Sequence, residues 1–143
     1  MHIHIINGPN LNLLGRRQPE VYGRVTFEDH LTHLRKKFNQ IQIDYFQSNH
    51  EGALIDKLQE IGFSSDGIVL NPAAYTHTSI AIADTIQAIP APVIEVHISN
   101  IYEREEFRHH SFVSDHVLKS IVGKGLDGYD EAVKLLMANS SKN

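Results

Sequence analysis

Glu95 and His97 carry the residue types and spacing in this chain that most directly suggest chemistry. They lie in Val93-Ile94-Glu95-Val96-His97-Ile98-Ser99-Asn100. Its first half is an apolar, β-branched run following Pro90 and Pro92, which predicts a buried strand. Residues two apart on a strand project from one face, so Glu95, His97 and Ser99 share a side. An imidazole can give or take a proton near neutral pH, and a neighbouring carboxylate can orient it. Both are costly to bury without partners. The same pair could be a polar couple satisfied at a sheet end, so the surroundings decide.

Three other stretches bear on the decision. Asn7-Gly8-Pro9-Asn10 is turn chemistry that interrupts the chain after Ile3, Ile5 and Ile6. It leads to Gly15-Arg16-Arg17-Gln18-Pro19-Glu20-Val21-Tyr22-Gly23, a glycine-bracketed, arginine-bearing loop with the character of a lid, although a solvated surface loop would read the same way. Asn71-Pro72-Ala73-Ala74-Tyr75-Thr76-His77-Thr78-Ser79 is a second polar loop between apolar segments. Arg17, Arg104 and Arg108 favour an anionic, carboxylate-bearing ligand. Tyr22 could act as a base only if its phenol, ordinarily near pKa ~10, were lowered by a cation such as Arg17. A change of ~3 pKa units corresponds to ~4 kcal/mol, attainable in a closed, water-poor site.

The elements that must position these groups follow from periodicity. Strands are expected at Ile3–Ile6, Ile41–Tyr45, Gly67–Leu70, Val93–His97 and Ile121–Val122. Between them come helices with apolar faces Phe27/Leu31/Leu34/Phe38, capped by Thr26 and Asp29, and Leu54/Ile55/Leu58/Ile61, with Gly62 as a stop. A third helix, Thr78 to Ile89, is apolar nearly all round and is expected to be largely covered, with Asp84 inside it. Tyr102 to His110 predicts a short charged helix, and Tyr129, Ala132, Val133, Leu136 and Met137 mark the last one. Residues 139–143 are expected to be a frayed tail. Alternating strands and helices imply right-handed βαβ units and a parallel sheet. The expected fold is a single α/β domain over residues 1–143: a flavodoxin-like, doubly wound, five-stranded parallel sheet of order 2-1-3-4-5. That order puts the loops Asn7–Gly23, Asn71–Ser79 and Ser99–Arg108 beside one crevice.

Composition narrows the function. The 143 residues suit one core, and with no cysteine there is no disulfide, thiolate metal site or thiol nucleophile. The net charge of −4 comes from mixed charges, which argues against nucleic acid or an anionic membrane as partner. No apolar run approaches the ~20 residues of a membrane span, and the first residues do not form a signal peptide, so a cytoplasmic protein is expected. Gly123-Lys124-Gly125-Leu126-Asp127-Gly128 matches a dinucleotide fingerprint, but no strand and no acid ~20 residues on follow it, so a tight turn is expected instead. His77, Glu95, His97, His109 and His110 lack metal-ligand spacing and lie among arginines, so no metal is expected. His2, His4, His30, His33 and His116 sit in no motif and are read as incidental.

The ordered motifs Asn7-Gly8-Pro9-Asn10-Leu11-Asn12-Leu13-Leu14-Gly15, Arg17 to Tyr22-Gly23, Gln47-Ser48-Asn49-His50-Glu51-Gly52, Asn71 to Ser79, Glu95 to Asn100, and Arg104-Glu105 with Phe107-Arg108 resemble those of the type II 3-dehydroquinases across almost the whole chain. Gln18 departs from the glutamate usual there. The resemblance implies a lyase that removes water from 3-dehydroquinate by anti elimination through an enolate, giving 3-dehydroshikimate, with no Schiff base, metal or cofactor. It implies Tyr22 as base, Arg17 as a lid residue stabilising the transition state, Asn10 as holder of the enolate water, His97 as acid and Glu95 as its orienter. It further implies substrate binding by Asn71, His77, Ile98, Ser99, Arg108 and, from a neighbouring subunit, Asp84. A homo-oligomer, a dodecamer of four trimers, serving aromatic biosynthesis (the shikimate pathway) or quinate catabolism would follow. The alternative is a non-catalytic flavodoxin-like module binding a small anion or nucleotide, but the first loop lacks the Ser/Thr run such a phosphate site uses. A scaffold that had lost activity would be expected to lack Tyr22, Arg17 or His97, and all three are present.

Overall fold

Five short segments rich in isoleucine and valine supply the strands, and their burial follows their position in the sheet. The computed structural model describes residues 1–142, with the backbone alone at Val21 and Tyr22. Strands β1 (His2–Asn7), β2 (Gln42–Gln47), β3 (Gly67–Asn71), β4 (Val93–His97) and β5 (Lys119–Val122) form one sheet. Its order is β2-β1-β3-β4-β5, and every pairing is parallel. The central β3 and β4 are buried at every residue, whereas the edge strands β2 and β5 each bury one residue fully, Ile43 and Ile121. This is the expected flavodoxin-like topology, with strands 1, 3 and 4 side by side.

Among the described residues, four helices of 9 to 15 residues cover the sheet: α2 (Phe27–Lys37), α3 (Glu51–Ile61), α4 (Ile80–Ala88) and α5 (Asp127–Ser141). A single helical turn, α1 (Pro19–Tyr22), lies in the first loop. Strand alternation divides the core. Ile3, Ile5, Val69, Ile94 and Ile121 meet Phe27 and Leu34 of α2 and Tyr129, Val133 and Leu136 of α5. On the other face, Ile6, Ile68, Leu70 and Val93 meet Leu54 and Leu58 of α3 and Ile82 and Ile86 of α4. Full burial of each such side chain is worth about 1.5–3 kcal/mol.

Local chemistry sets the helix ends. Thr26 and Asp29 form the reciprocal capping box at the start of α2. Gly62 ends α3 in ordinary right-handed geometry, so it is not a left-handed cap. A Cβ there would lie 2.5 Å from Ile89, so the glycine serves a close approach of α3 to the segment after α4.

Three expectations need correction. Residues 102–110 form two 3-10 turns, Ile101–Glu103 and Glu106–Arg108, rather than a charged helix. The Asn100 side chain accepts the Tyr102 N–H at the first, and Arg108 Nε donates to Glu105 at the second, so local polar bonds compete with helix. Helix α4 is covered on one side only: Ile82, Ala83, Thr85 and Ile86 are buried, while Ile80, Ala81, Asp84 and Gln87 are exposed. Helix α5 continues to Ser141 instead of giving way at 139.

Candidate active site

Beyond the carboxyl ends of β1, β3 and β4 lies a cleft of about 140 Å³. All three expected loops contribute to its wall: Asn10, Leu14 and Arg17 from the first, Asn71, Ala74 and His77 from the second, and Ser99, Arg104 and Arg108 from the third. The first two loops interlock through Gly8, whose N–H donates to Asn71 O at 2.7 Å. A Cβ on Gly8 would stand 2.6 Å from Pro72 O, so no larger residue fits that contact.

His97, at the end of β4, lines the cleft and is 5% exposed. Glu95 lies beneath it with no exposure at all. Burial pushes the Glu95 carboxyl up. The hydrogen bond and charge of His97, with the hydroxyls of Thr76 and Ser120, outweigh that and hold it at about 2. Glu95 is therefore ionised and accepts only. His97 Nε2–H donates to Oε2 at 2.9 Å, and the Thr76 hydroxyl donates to the same oxygen. Ser114 and Ser120 donate to Oε1 at 3.0 and 2.7 Å. The tautomer of His97 is thus set, and Nδ1 is left as the nitrogen able to exchange a proton with a ligand.

Thr76, Ser114 and Ser120 did not emerge as site residues from sequence. One signal was available, because a buried carboxylate on a central strand demands donors, and Ser120 lies directly across from Glu95 in the β4–β5 register.

His77 Nδ1–H donates to His110 O at 2.7 Å, which leaves Nε2 as an acceptor on the cleft side. Desolvation, with the charges of His97 and Arg108, keeps His77 below the ordinary histidine range. Its ring lies 6.5 Å from that of His97. Asn71 is held by a buried relay: its Nδ2 donates to Tyr129 OH at 2.9 Å, and that hydroxyl donates to Asn7 Oδ1 at 2.8 Å. Asn71 Oδ1 accepts Ala73 N–H at 3.0 Å. Asn10 sits in the left-handed region at φ 71°, with its N–H on Asn49 Oδ1.

The cleft brings together Asn10, Arg17, Asn71, His77, His97, Ile98, Ser99 and Arg108, with Glu95 directly behind. Asp84 is not among them and is exposed on α4. The Tyr22 side chain lies outside the described residues; its backbone closes α1 in the lid loop. Tyr75, the other tyrosine near the site, donates its hydroxyl to Asn49 O at 2.8 Å and ties two loops together. The glycine-rich turn after β5 is structural: Gly123 and Gly125 donate to the carbonyls of His97 and Ile98 and so brace the end of β4.

A doubly wound sheet with an oriented imidazole and three arginines around its C-terminal crevice defines an α/β protein suited to acid–base work on a small anion. The family model for class II dehydroquinases matches residues 1–137. A 3-dehydroquinate dehydratase of Cereibacter sphaeroides is 51% identical over 137 residues, covering 92% of this chain and 91% of the relative. A catabolic 3-dehydroquinase of Talaromyces marneffei is 52% identical over 92% of this chain and 77% of its own. The crystal structure of the type II dehydroquinase from Butyrivibrio crossotus superposes with a TM-score of 0.92 at 48% identity, covering 96% of this chain and 97% of that one. The chain belongs to the class II dehydroquinase family and is, with them, a type II dehydroquinase.

Proposed function

We propose that this chain converts 3-dehydroquinate to 3-dehydroshikimate and water by anti elimination through an enolate. The observation that carries the reading is the ionised Glu95 holding His97 Nε2–H beneath an arginine-lined cleft. Tyr22 removes the proton from the carbon next to the ketone, with Arg17 keeping the phenol ionised. The electron pair moves into the ketone oxygen, and a water held by Asn10 stabilises the resulting enolate. Collapse of the enolate expels the hydroxyl, which takes a proton from His97 Nδ1 and leaves as water. Glu95 accepts from Nε2–H and so keeps Nδ1 turned toward the departing hydroxyl. Asn71, His77, Ile98 and Ser99 hold the substrate's hydroxyls and ring, and Arg108 pairs with its carboxylate. The substrate's own ketone is the electron sink, so no cofactor and no Schiff base are required.

Asp84 on the exposed face of α4 completes the site of a neighbouring copy, in a homo-oligomer we take to be a dodecamer of trimers working in the cytoplasm. The reaction serves biosynthesis or catabolism alike, and the relatives bear names of both kinds. Substrate deuterated on the face anti to the departing hydroxyl tests the mechanism. The deuterium should be lost to solvent, and borohydride added with substrate should leave activity intact. Retention of the deuterium, or inactivation by borohydride, would contradict the proposal.

A further inference from the structure

At the far end of the sheet from the cleft, the sequence places His2 and His4 on one face of β1. The β1–β2 register sets His4 directly across from Asp44. His2 Nε2 lies 2.6 Å from Asp44 Oδ2, His4 Nε2 lies 3.8 Å from the same oxygen, and the two rings are 4.2 Å apart. One ligand atom from each residue falls within 4.8 Å of the others. Tetrahedral ligands at ~2.0–2.1 Å from zinc stand roughly 3.3 Å apart, so His2 and Asp44, hydrogen-bonded at 2.6 Å, would open slightly around an ion and His4, at 3.8 Å, would close on it.

The hydrogen bonding of His4 supports the same reading. Ser65 Oγ donates to Gly67 O at 2.8 Å, so at His4 the hydroxyl oxygen accepts from Nδ1–H at 2.9 Å. The proton is thereby held on Nδ1, and the lone pair of His4 Nε2 faces a carboxylate oxygen. Asp44 Oδ2 already accepts from His2 Nε2–H and, at 3.4 Å, from Gln42 Nε2, so a bound ion would displace the His2 proton and draw His4 Nε2 in from 3.8 Å. A partner that fixes the far nitrogen of a ligand histidine is the usual support of a metal site. His4 and Asp44 border a groove of about 270 Å³ that also holds Arg35, whose guanidinium donates to Ile43 O, and Lys57, whose charge is paired with Glu60 at 3.2 Å. His4 is mostly covered while His2 and Asp44 are part-exposed, so an ion has a route in and a water can complete its shell.

We propose that His2, His4 and Asp44 form a binding site for one divalent transition ion of the zinc class, with water as fourth ligand, clamping β1 to β2. Two imidazoles and one carboxylate suit zinc, cobalt or nickel and disfavour magnesium or calcium. The ion lies at the opposite end of the sheet from Glu95 and His97 and takes no part in their chemistry.

The test uses tag-free, assembled protein stripped with chelator and titrated with Zn²⁺ by calorimetry, and with Co²⁺ by visible absorption. One ion per chain is expected, with the intense visible bands of four-coordinate cobalt. His2→Gln, His4→Gln and Asp44→Asn should each weaken binding at least tenfold and leave dehydratase turnover unchanged. Asp44→Asn is nearly isosteric and lies on an edge strand, so it reports on the site even if His4→Gln disturbs folding. No binding by the parent protein, or binding that survives Asp44→Asn and His2→Gln unaltered, would overturn the assignment.

Discussion

Replacing Glu95 with glutamine exchanges one oxygen for an NH2 group and removes a negative charge that four donors surround. Thr76 and His97 converge on one carboxylate oxygen, Ser114 and Ser120 on the other. A glutamine amide can accept at only one of those positions, and its NH2 faces donors at the second. The magnitude can be worked from the carboxyl's displacement from the usual 4.5 to about 2. At ~1.4 kcal/mol per pKa unit, the ionised form is favoured in the folded protein by about 3 kcal/mol. Because the folded pKa is depressed, this stability is fully present above the unfolded value and is lost as pH falls through the folded one. Glu95→Gln should therefore cost about 3 kcal/mol at pH 7. The gap to the parent protein should close between about pH 4.5 and 2. Urea unfolding at several pH values, with protein concentration fixed so that assembly does not vary, measures it. The variant should also turn over more slowly, because the orientation of His97 is no longer held. A stability gap that does not change with pH would refute the electrostatic reasoning, and full stability at pH 7 would refute the hydrogen-bond reading as well.

Three further outcomes are expected. If Tyr22 is the base, as proposed, Tyr22→Phe should lower kcat by ~100-fold or more while leaving KM within a few-fold; steady-state kinetics decide, and near-parent turnover would remove Tyr22 as the base. Tyr129→Phe should cost about 1–3 kcal/mol in urea unfolding, because it strands the buried Asn7 oxygen and an Asn71 N–H; unchanged stability would mean the relay contributes nothing. Asp84→Ala should weaken substrate affinity or assembly; if KM and sedimentation both match the parent, the role across subunits is wrong.

Much of the fold was legible because its signals are local. β3 opens as an apolar run and β4 as a β-branched one, both buried at every residue, and Thr26 with Asp29 announces α2. The crevice was legible for a topological reason: once the strand order is inferred, the loops after strands 1, 3 and 4 must be neighbours. Contacts between distant segments were harder to see. Ser114 and Ser120 reach Glu95 from the far side of β4, and nothing in their immediate sequence distinguishes them from surface serines.

The same holds for polar residues on otherwise apolar faces. Asp130 interrupts the buried face of α5, yet it joins His30 at 2.9 Å, His33 at 3.1 Å and Lys37 at 2.8 Å, all from α2. Burial pushes the Asp130 carboxyl up, and bonds to Lys37 and His33 more than reverse that. His30 and His33 are thus structural partners rather than incidental, as His2 and His4 are for Asp44. The segment 102–110 misled for the opposite reason: its composition suits a helix, while Asn100 and Glu105 offer the backbone and Arg108 shorter polar bonds.

The most direct test supplies the assembled protein with 3-dehydroquinate and follows the ultraviolet absorbance of the conjugated enone in 3-dehydroshikimate. The parent protein should produce that absorbance catalytically, and His97→Ala should reduce the rate by orders of magnitude. Folded, assembled parent protein that yields no enone would contradict the dehydratase reading and bring a non-catalytic anion-binding role forward.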